Sequence, residues 1–204
     1  MKCIIIGAGN FQNEMIKKDK DDLLICADAG YSYVKDMNIE IDLLVGDFDS
    51  LSTIPSNINI YKLPKVKDET DLYIAIEEGI KRGYREFQIF GALGGRIEHS
   101  IANIQIISKL ATQNIKAKLI DQNTIVEILT EGTYIYNKEM EGYLSLFSLS
   151  EKSVLTIKNL KYELTEHEIT YLFPLGIDNE FIGRESVINI HKGLVLSIIN
   201  KKNA

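Results

Sequence analysis

Apolar and polar residues follow two regimes along this chain. Up to about Asp121, short apolar runs of strand length are each followed by a glycine or acidic turn, and several of those turns lead into helical spacing. Residues 2–6 (KCIII), 22–27 (DLLICA), 43–45 (LLV), 59–63 (NIYKL) and 85–90 (REFQIF) read as strands, and residues 31–37 suit a helix. Leu72, Ile76 and Ile80 recur at helical spacing with Ala75 and Gly79 beside them, so an amphipathic helix is expected to begin near Thr70 and Asp71. Ile101, Ile104 and Leu110 mark a further helix after Arg96. Alternation of strand and helix predicts a parallel sheet covered by helices.

Beyond that point the regime changes. Residues 124–129, 133–136, 143–149, 154–157, 186–190 and 194–199 are short strand candidates separated by Gly, Asn, Glu or Lys turns, with no strong helix among them. A small antiparallel domain follows from this pattern. The expected fold is therefore α/β: a parallel-sheet, Rossmann-like three-layer domain over residues 1–122, then an antiparallel β-sandwich over residues 123–204, with the boundary near Gln122.

Composition narrows the function classes. With 45% hydrophobic and 25% charged residues, the 204-residue chain has the make-up of an ordinary globular protein. It carries 23 basic against 29 acidic residues, a net charge of −6, and no basic block, so a nucleic-acid surface is not expected. No apolar run is long enough to cross a bilayer, and the opening MKCIIIGAGN turns to Gly and Asn too early for a signal peptide. A cytoplasmic protein without a membrane partner is the expectation. Cys3 and Cys26 lie in separate apolar strands without CxxC spacing and read as reduced core thiols.

The candidate chemistry gathers where strands end. Asp47 and Asp49 follow the third strand around Phe48; on extended chain, positions i and i+2 place both carboxylates on one side. Paired like charges call for a cation, and oxygen ligands suit Mg2+, although the same two residues also read as plain loop acids, with Asp49 capping a turn at Ser50. Asp28 follows the second strand and Asp71 starts a helix, which adds two acids at what would be one sheet edge, where ligands of open α/β sheets bind. Thr70 offers a hydroxyl, Arg96 a guanidinium for phosphate oxygens, and Gly94 and Gly95 close backbone approach. Asp68, Thr70 and Asp71 are equally candidate helix caps. The turn Gly7-Ala8-Gly9 lacks the third glycine of a dinucleotide fingerprint, since Gln12 stands there, and that cofactor is not expected. From chemistry alone the reading is a Mg2+-dependent enzyme acting on a nucleotide.

The runs Asp28-Ala29-Gly30, Gly46-Asp47-Phe48-Asp49-Ser50, Lys67-Asp68-Glu69-Thr70-Asp71 and Gly94-Gly95-Arg96-Ile97-Glu98-His99 resemble, in order and spacing, those of thiamine pyrophosphokinases. Asn159-Leu160-Lys161-Tyr162-Glu163-Leu164 and Leu175-Gly176-Ile177-Asp178-Asn179-Glu180-Phe181 extend the resemblance through the C-terminal part. It implies a catalytic α/β domain, a β domain that helps bind thiamine, and a homodimer with active sites between subunits. ATP and thiamine would be the substrates and Mg2+ the cofactor, held by Asp47, Asp49 and Asp71, with Asp28 as a further acid of that site. The resemblance puts Asp68 and Thr70 beside the nucleotide, Arg96, Gly94 and Gly95 along the phosphates, and Glu98, His99, Asp178, Asn179 and Tyr162 on the thiamine side. Glu98 stands where the family usually has Asp, and Asp178 where it frequently has Ser. Tyr162 matches an aromatic that stacks on the pyrimidine ring from the partner subunit.

Two other readings compete. Asp47-Phe48-Asp49 fits the nucleophile and acid of a haloacid dehalogenase-type phosphatase, and a non-enzymatic nucleotide or thiamine sensor would use the β domain as an interaction module. His167 and His191 have no Cys or His at ligand spacing and read as surface residues rather than a zinc site. The charged segment from Lys161 to Glu168 reads as solvated turn.

Overall fold

Short runs rich in Ile, Leu and Val become strands whose neighbours cover them on both faces. The computed structural model describes residues 1–11, 16–48, 58–64 and 69–202. By internal contacts the chain divides into two units, Met1–Gln122 and Asn123–Ala204.

In the first unit β1 (Cys3–Ile6), β2 (Leu23–Ala27) and β3 (Leu43–Gly46) are buried at every position, as interior parallel strands require. They are joined by β4 (Asn59–Lys62), exposed throughout, and by β5 (Glu86–Phe90) and β6 (Lys116–Ile120). All pairings are parallel, in the order β6-β5-β1-β2-β3-β4. The chain therefore proceeds outward from β1 to β4, then returns to the other side of β1 to lay down β5. That reversal is the topological switch point of the sheet.

Among the described residues three helices accompany these strands: α1 (Gly30–Val34), α2 (Asp71–Lys81) and α3 (Ile97–Thr112). Val34 of α1 joins a core cluster with Ile4, Ile6, Leu24, Cys26, Leu44, Phe48 and Phe90. Gly79 of α2 sits against Cys3 and Phe87, whose side chains alternate with Ile4 and Phe90 along their strands, so α2 covers the opposite face. Leu72, Ala75, Ile76 and Gly79 form the buried stripe of α2, as the periodicity read from sequence predicts, while Ile80, also expected there, is half-buried. In α3 the stripe is different from the one expected: Asn103, Ile107 and Leu110 are buried, whereas Ile101 is 52% exposed. Both cysteines are free and buried, and burial pushes each thiol up to about 12, which leaves them protonated and unreactive.

The second unit is all antiparallel. One set of strands runs in the order β12 (Gly176–Glu180), β9 (Tyr143–Ser148), β14 (Val195–Asn200), β7 (Thr124–Leu129), and the other in the order β11 (Leu164–Thr170), β10 (Lys152–Lys158), β13 (Ser186–Lys192), β8 (Gly132–Tyr136). Leu129, Leu144, Leu146 and Ile199 from the first set and Leu155, Ile157, Ile188 and Ile190 from the second share one apolar core. The hydroxyls of Ser148 and Ser153, 2.7 Å apart, link β9 to β10 where the chain passes from one sheet to the other.

Two strands here were not expected. Leu164–Thr170 falls in the charged segment read as a solvated turn: its side chains are largely exposed, but its backbone pairs with β10. It is an edge strand in which Ile169 is the fully buried residue, so almost no apolar signal reaches the sequence. Gly176–Glu180 is held beside β9 through a register shift between Gly176 and Asn179. His167 and His191 are both exposed, as expected, and His191 lies 2.8 Å from the Thr156 hydroxyl.

Candidate active site

A cleft of about 410 Å3 opens at the carboxyl ends of β1, β2 and β5, the switch point of the parallel sheet. Its walls include Gly7, Gly9 and Asn10 after β1, Asp28 after β2, Thr70 and Asp71 at the start of α2, and the loop from Gly91 to Arg96 with His99 of α3. Of the expected residues, the structure thus brings together Asp28, Thr70, Asp71, Gly94, Gly95, Arg96 and His99. Asp49 and Asp68 lie outside the described residues.

Main-chain geometry makes room for the cleft. The N–H of Gly7 donates to the carbonyl of Phe90, and that of Gly9 to the carbonyl of Gly91, each at 2.8 Å. Any Cβ on Gly7 would stand 2.7 Å from the Gly91 oxygen, and any Cβ on Gly91 would stand 2.5 Å from the Gly7 oxygen. The glycines of the first turn are therefore explained by strand-end packing. Gly94 and Gly95 hold φ of 75° and 63°, and among the described residues, its chain neighbours aside, nothing lies within 4 Å of where a Gly95 Cβ would be. That loop leads straight into the N-terminus of α3, while Thr70 and Asp71 open α2. Two helix N-termini and a glycine loop thus border the cleft, and such features bind phosphate oxygens through main-chain N–H groups.

Each expected side chain can now be placed. The Thr70 hydroxyl caps α2, accepting the N–H of Tyr73 at 3.2 Å, and keeps its own O–H to donate. Asp71, half-buried, supplies the acid of the first turn. Asp28 is half-buried with φ of 47°, a left-handed conformation that Asp tolerates, and its N–H donates to Val45 at 2.8 Å. Arg96 Nε donates to Glu98 Oε1 at 2.6 Å at the exposed cleft mouth. Hydrogen bonds from its own N–H and from Arg96 hold the Glu98 carboxyl below the usual range.

The extended-chain argument for Asp47 needs correction. Phe48 has φ of 62° and is only 4% exposed, its ring being drawn into the core cluster with Ile4, Leu44 and Phe90. The backbone at Phe48 is therefore left-handed rather than extended, and the i, i+2 argument for placing Asp47 and Asp49 on one side does not hold. Asp47 is half-buried and is absent from the residues lining the cleft, as is Glu98. Among the described residues, no three His, Cys, Asp or Glu side chains cluster as a metal cage would. The cleft donors that are described, Asp28, Thr70 and Asp71, carry the hard oxygen chemistry that Mg2+ takes.

Residues that sequence reasoning passed over also line the cleft. Asn103 is 8% exposed and its Nδ2 donates to the Ala92 carbonyl at 2.8 Å, bracing the loop after β5. A polar residue on the buried stripe of α3 was the available signal. Tyr33 stacks on Phe11 with centroids 5.2 Å apart, and nothing in its sequence context marks it out.

In the second unit, Tyr162 is 61% exposed on irregular backbone between β10 and β11, with Lys161 Nζ 5.8 Å from its ring centroid. Asn179 is 6% exposed. Its Oδ1 accepts from the N–H groups of Tyr162 (2.9 Å) and Glu180 (3.0 Å), and its Nδ2 donates to the Tyr162 carbonyl at 2.7 Å. Asp178 is exposed, at φ of 54°, with its N–H donating to Ser145 Oγ.

Comparison with known proteins agrees with these motifs. Residues 16–119 match the family model for the thiamin pyrophosphokinase catalytic domain, and residues 132–195 that for the thiamin pyrophosphokinase vitamin B1 binding domain. A thiamine pyrophosphokinase of Bacillus subtilis is 32% identical over 213 residues, covering 97% of this chain and 98% of that protein. The crystal structure of the Bacillus subtilis enzyme superposes with a TM-score of 0.88 at 29% identity, covering all of both chains. That of thiamin pyrophosphokinase from Geobacillus thermodenitrificans shares the fold, with a TM-score of 0.83 at 24% identity over 100% of this chain and 99% of that one. None of these findings favours a phosphatase or a sensor. Matched in both halves and over nearly its whole length, the chain belongs to the thiamin pyrophosphokinase family.

Proposed function

We propose that this chain transfers the terminal pyrophosphate of ATP to the hydroxyethyl oxygen of thiamine, giving thiamine diphosphate and AMP. The observation that carries this reading is the switch-point cleft, where Asp28 and Asp71 face a glycine loop and two helix N-termini in a member of this family. A triphosphate needs donors along its oxygens, and Gly94, Gly95, Arg96 and Thr70 supply them. Asp47, Asp49 and Asp71 would hold Mg2+, which would supply charge neutralisation on the phosphates. Attack falls on the β-phosphorus, so AMP leaves from that centre; Asp71 or Asp28 takes the hydroxyl proton. Asp68 lies beside the nucleotide, and Glu98, His99, Asp178 and Asn179 belong to the thiamine side with the ring of Tyr162.

In this reading residues 1–122 form a Rossmann-like three-layer catalytic domain, and residues 123–204 a β-sandwich for thiamine. The protein is a cytoplasmic homodimer whose subunits share each active site. Among the described residues no helix is long and apolar enough to cross a membrane.

The test is to incubate the purified protein with ATP, Mg2+ and thiamine and to quantify the products. Equal amounts of AMP and thiamine diphosphate, abolished by EDTA, are expected. ADP with thiamine monophosphate would instead mean ordinary γ-transfer, thiamine-independent phosphate release a hydrolase, and saturable binding without turnover a sensor.

A further inference from the structure

We infer that Asn179 is a positioning residue for the thiamine site, acting through the main chain of Tyr162 rather than on the substrate. This rests on the proposal that the Tyr162 ring stacks on thiamine. An asparagine amide has two acceptor and two donor places. Three are taken by main chain: Oδ1 by the N–H groups of Tyr162 and Glu180, and one Nδ2 hydrogen by the Tyr162 carbonyl. The residue is 6% exposed, so its side chain has little surface to offer a ligand.

What the amide does is extend a ladder. Leu160 and Phe181 form an antiparallel bridge, and the N–H of Lys161 donates to the Glu180 carbonyl at 3.0 Å. At Tyr162 the facing strand no longer supplies a peptide group, and the Asn179 amide substitutes for one, giving an acceptor to the N–H and a donor to the C=O. Both main-chain polar groups of Tyr162 are satisfied while its ring projects outward, 61% exposed. The flank is fixed as well, because Glu180 holds Lys161 at 2.9 Å and Lys202 at 2.7 Å. An aromatic on irregular backbone would otherwise have to be ordered at each binding event; the clamp removes that cost beforehand.

The experiment is a double-mutant cycle on thiamine recognition, using Tyr162→Ala, Asn179→Ala and the pair in the full-length protein. Asn179→Ala is expected to raise KM for thiamine roughly tenfold and leave KM for ATP within about twofold. In the Tyr162→Ala background the same substitution should change KM for thiamine by less than about twofold. Amide hydrogen exchange at Tyr162 should accelerate in Asn179→Ala. Should Asn179→Ala fail to fold, Asn179→Asp, which keeps the acceptor and loses the donor, carries the same comparison. Equal effects in both backgrounds would mean that Asn179 touches the substrate. A fall in thermal stability with thiamine KM unmoved would leave Asn179 a purely structural residue. Both results overturn the inference with the stacking reading intact, whereas an unaltered thiamine KM in Tyr162→Ala overturns the stacking reading itself.

Discussion

Replacing Gly79 by alanine sets two effects of opposite sign against each other on the helix that carries Thr70 and Asp71. Alanine is the better helix former, by about 1 kcal/mol in a helix interior. The new Cβ, however, would lie 2.7 Å from Phe87 Cε1 and 2.9 Å from Cys3 Sγ. Those neighbours are 1% and 0% exposed and sit on the central strands β5 and β1, so neither has space to retreat into. Overpacking of a filled core costs about 1–3 kcal/mol. With both obstacles immobile the upper part of that range applies, and the variant should be destabilised by about 1–2 kcal/mol net. Urea unfolding followed by circular dichroism measures it: the midpoint should fall with an unchanged slope. Cys3→Ala removes one obstacle, so in its background Gly79→Ala should cost less, with a coupling of roughly 0.5–1 kcal/mol. A variant as stable as the parent, or strictly additive effects, would refute the packing argument.

Three further outcomes are expected. Asp71→Asn should keep the fold, losing about 0.3–1 kcal/mol of favourable charge at the start of α2, and should lose at least roughly a hundredfold in AMP formation; near-normal turnover would remove Asp71 from the metal and phosphate site. Thr70→Ala should cost about 1 kcal/mol by removing the cap on Tyr73, whereas Thr70→Ser should cost far less; equal midpoints for the two variants would mean that the cap contributes nothing. Bonds from Lys202 and Lys161 bring the Glu180 carboxyl from its ordinary 4.5 down to about 2, so the stability it contributes is present above pH 4.5 and is lost as pH falls toward about 2. Glu180→Gln should flatten the acid limb of the unfolding profile over that window, and identical limbs would show the pairing to be inert.

Periodicity revealed most of the first unit because its strands are buried on both faces and its helices on one. The second unit was legible wherever a strand turned an apolar face inward. It was illegible at Leu164–Thr170, where pairing with β10 is made by backbone while Glu166, His167 and Glu168 face water. Composition cannot report a hydrogen bond between main chains. Asp28, Thr70 and Asp71, singled out in the sequence, all line the cleft, since a polar residue after a buried strand or before a helix has few places to go. Phe48 misled for a local reason: its ring is drawn into the core, and the backbone turns left-handed to allow it. Asn103 and Asn179 show a complementary limit, because each acts on backbone distant in sequence, at Ala92 and at Tyr162.

The mutual contact of Gly7 and Gly91 bears on how this sequence can change over time. Most tight contacts can be relaxed by trimming the side chain opposite, which opens a two-step path through sequence space. Here the obstacle to a Cβ at either position is the other residue's carbonyl oxygen, an atom every amino acid possesses. No second substitution at position 91 can therefore compensate a first at position 7, nor the reverse. A suppressor screen begun from Gly7→Ala should return reversion and distant stabilising changes, but no partner at residue 91. The pair behaves as two independent vetoes, and drift at this corner of the fold is closed from both sides.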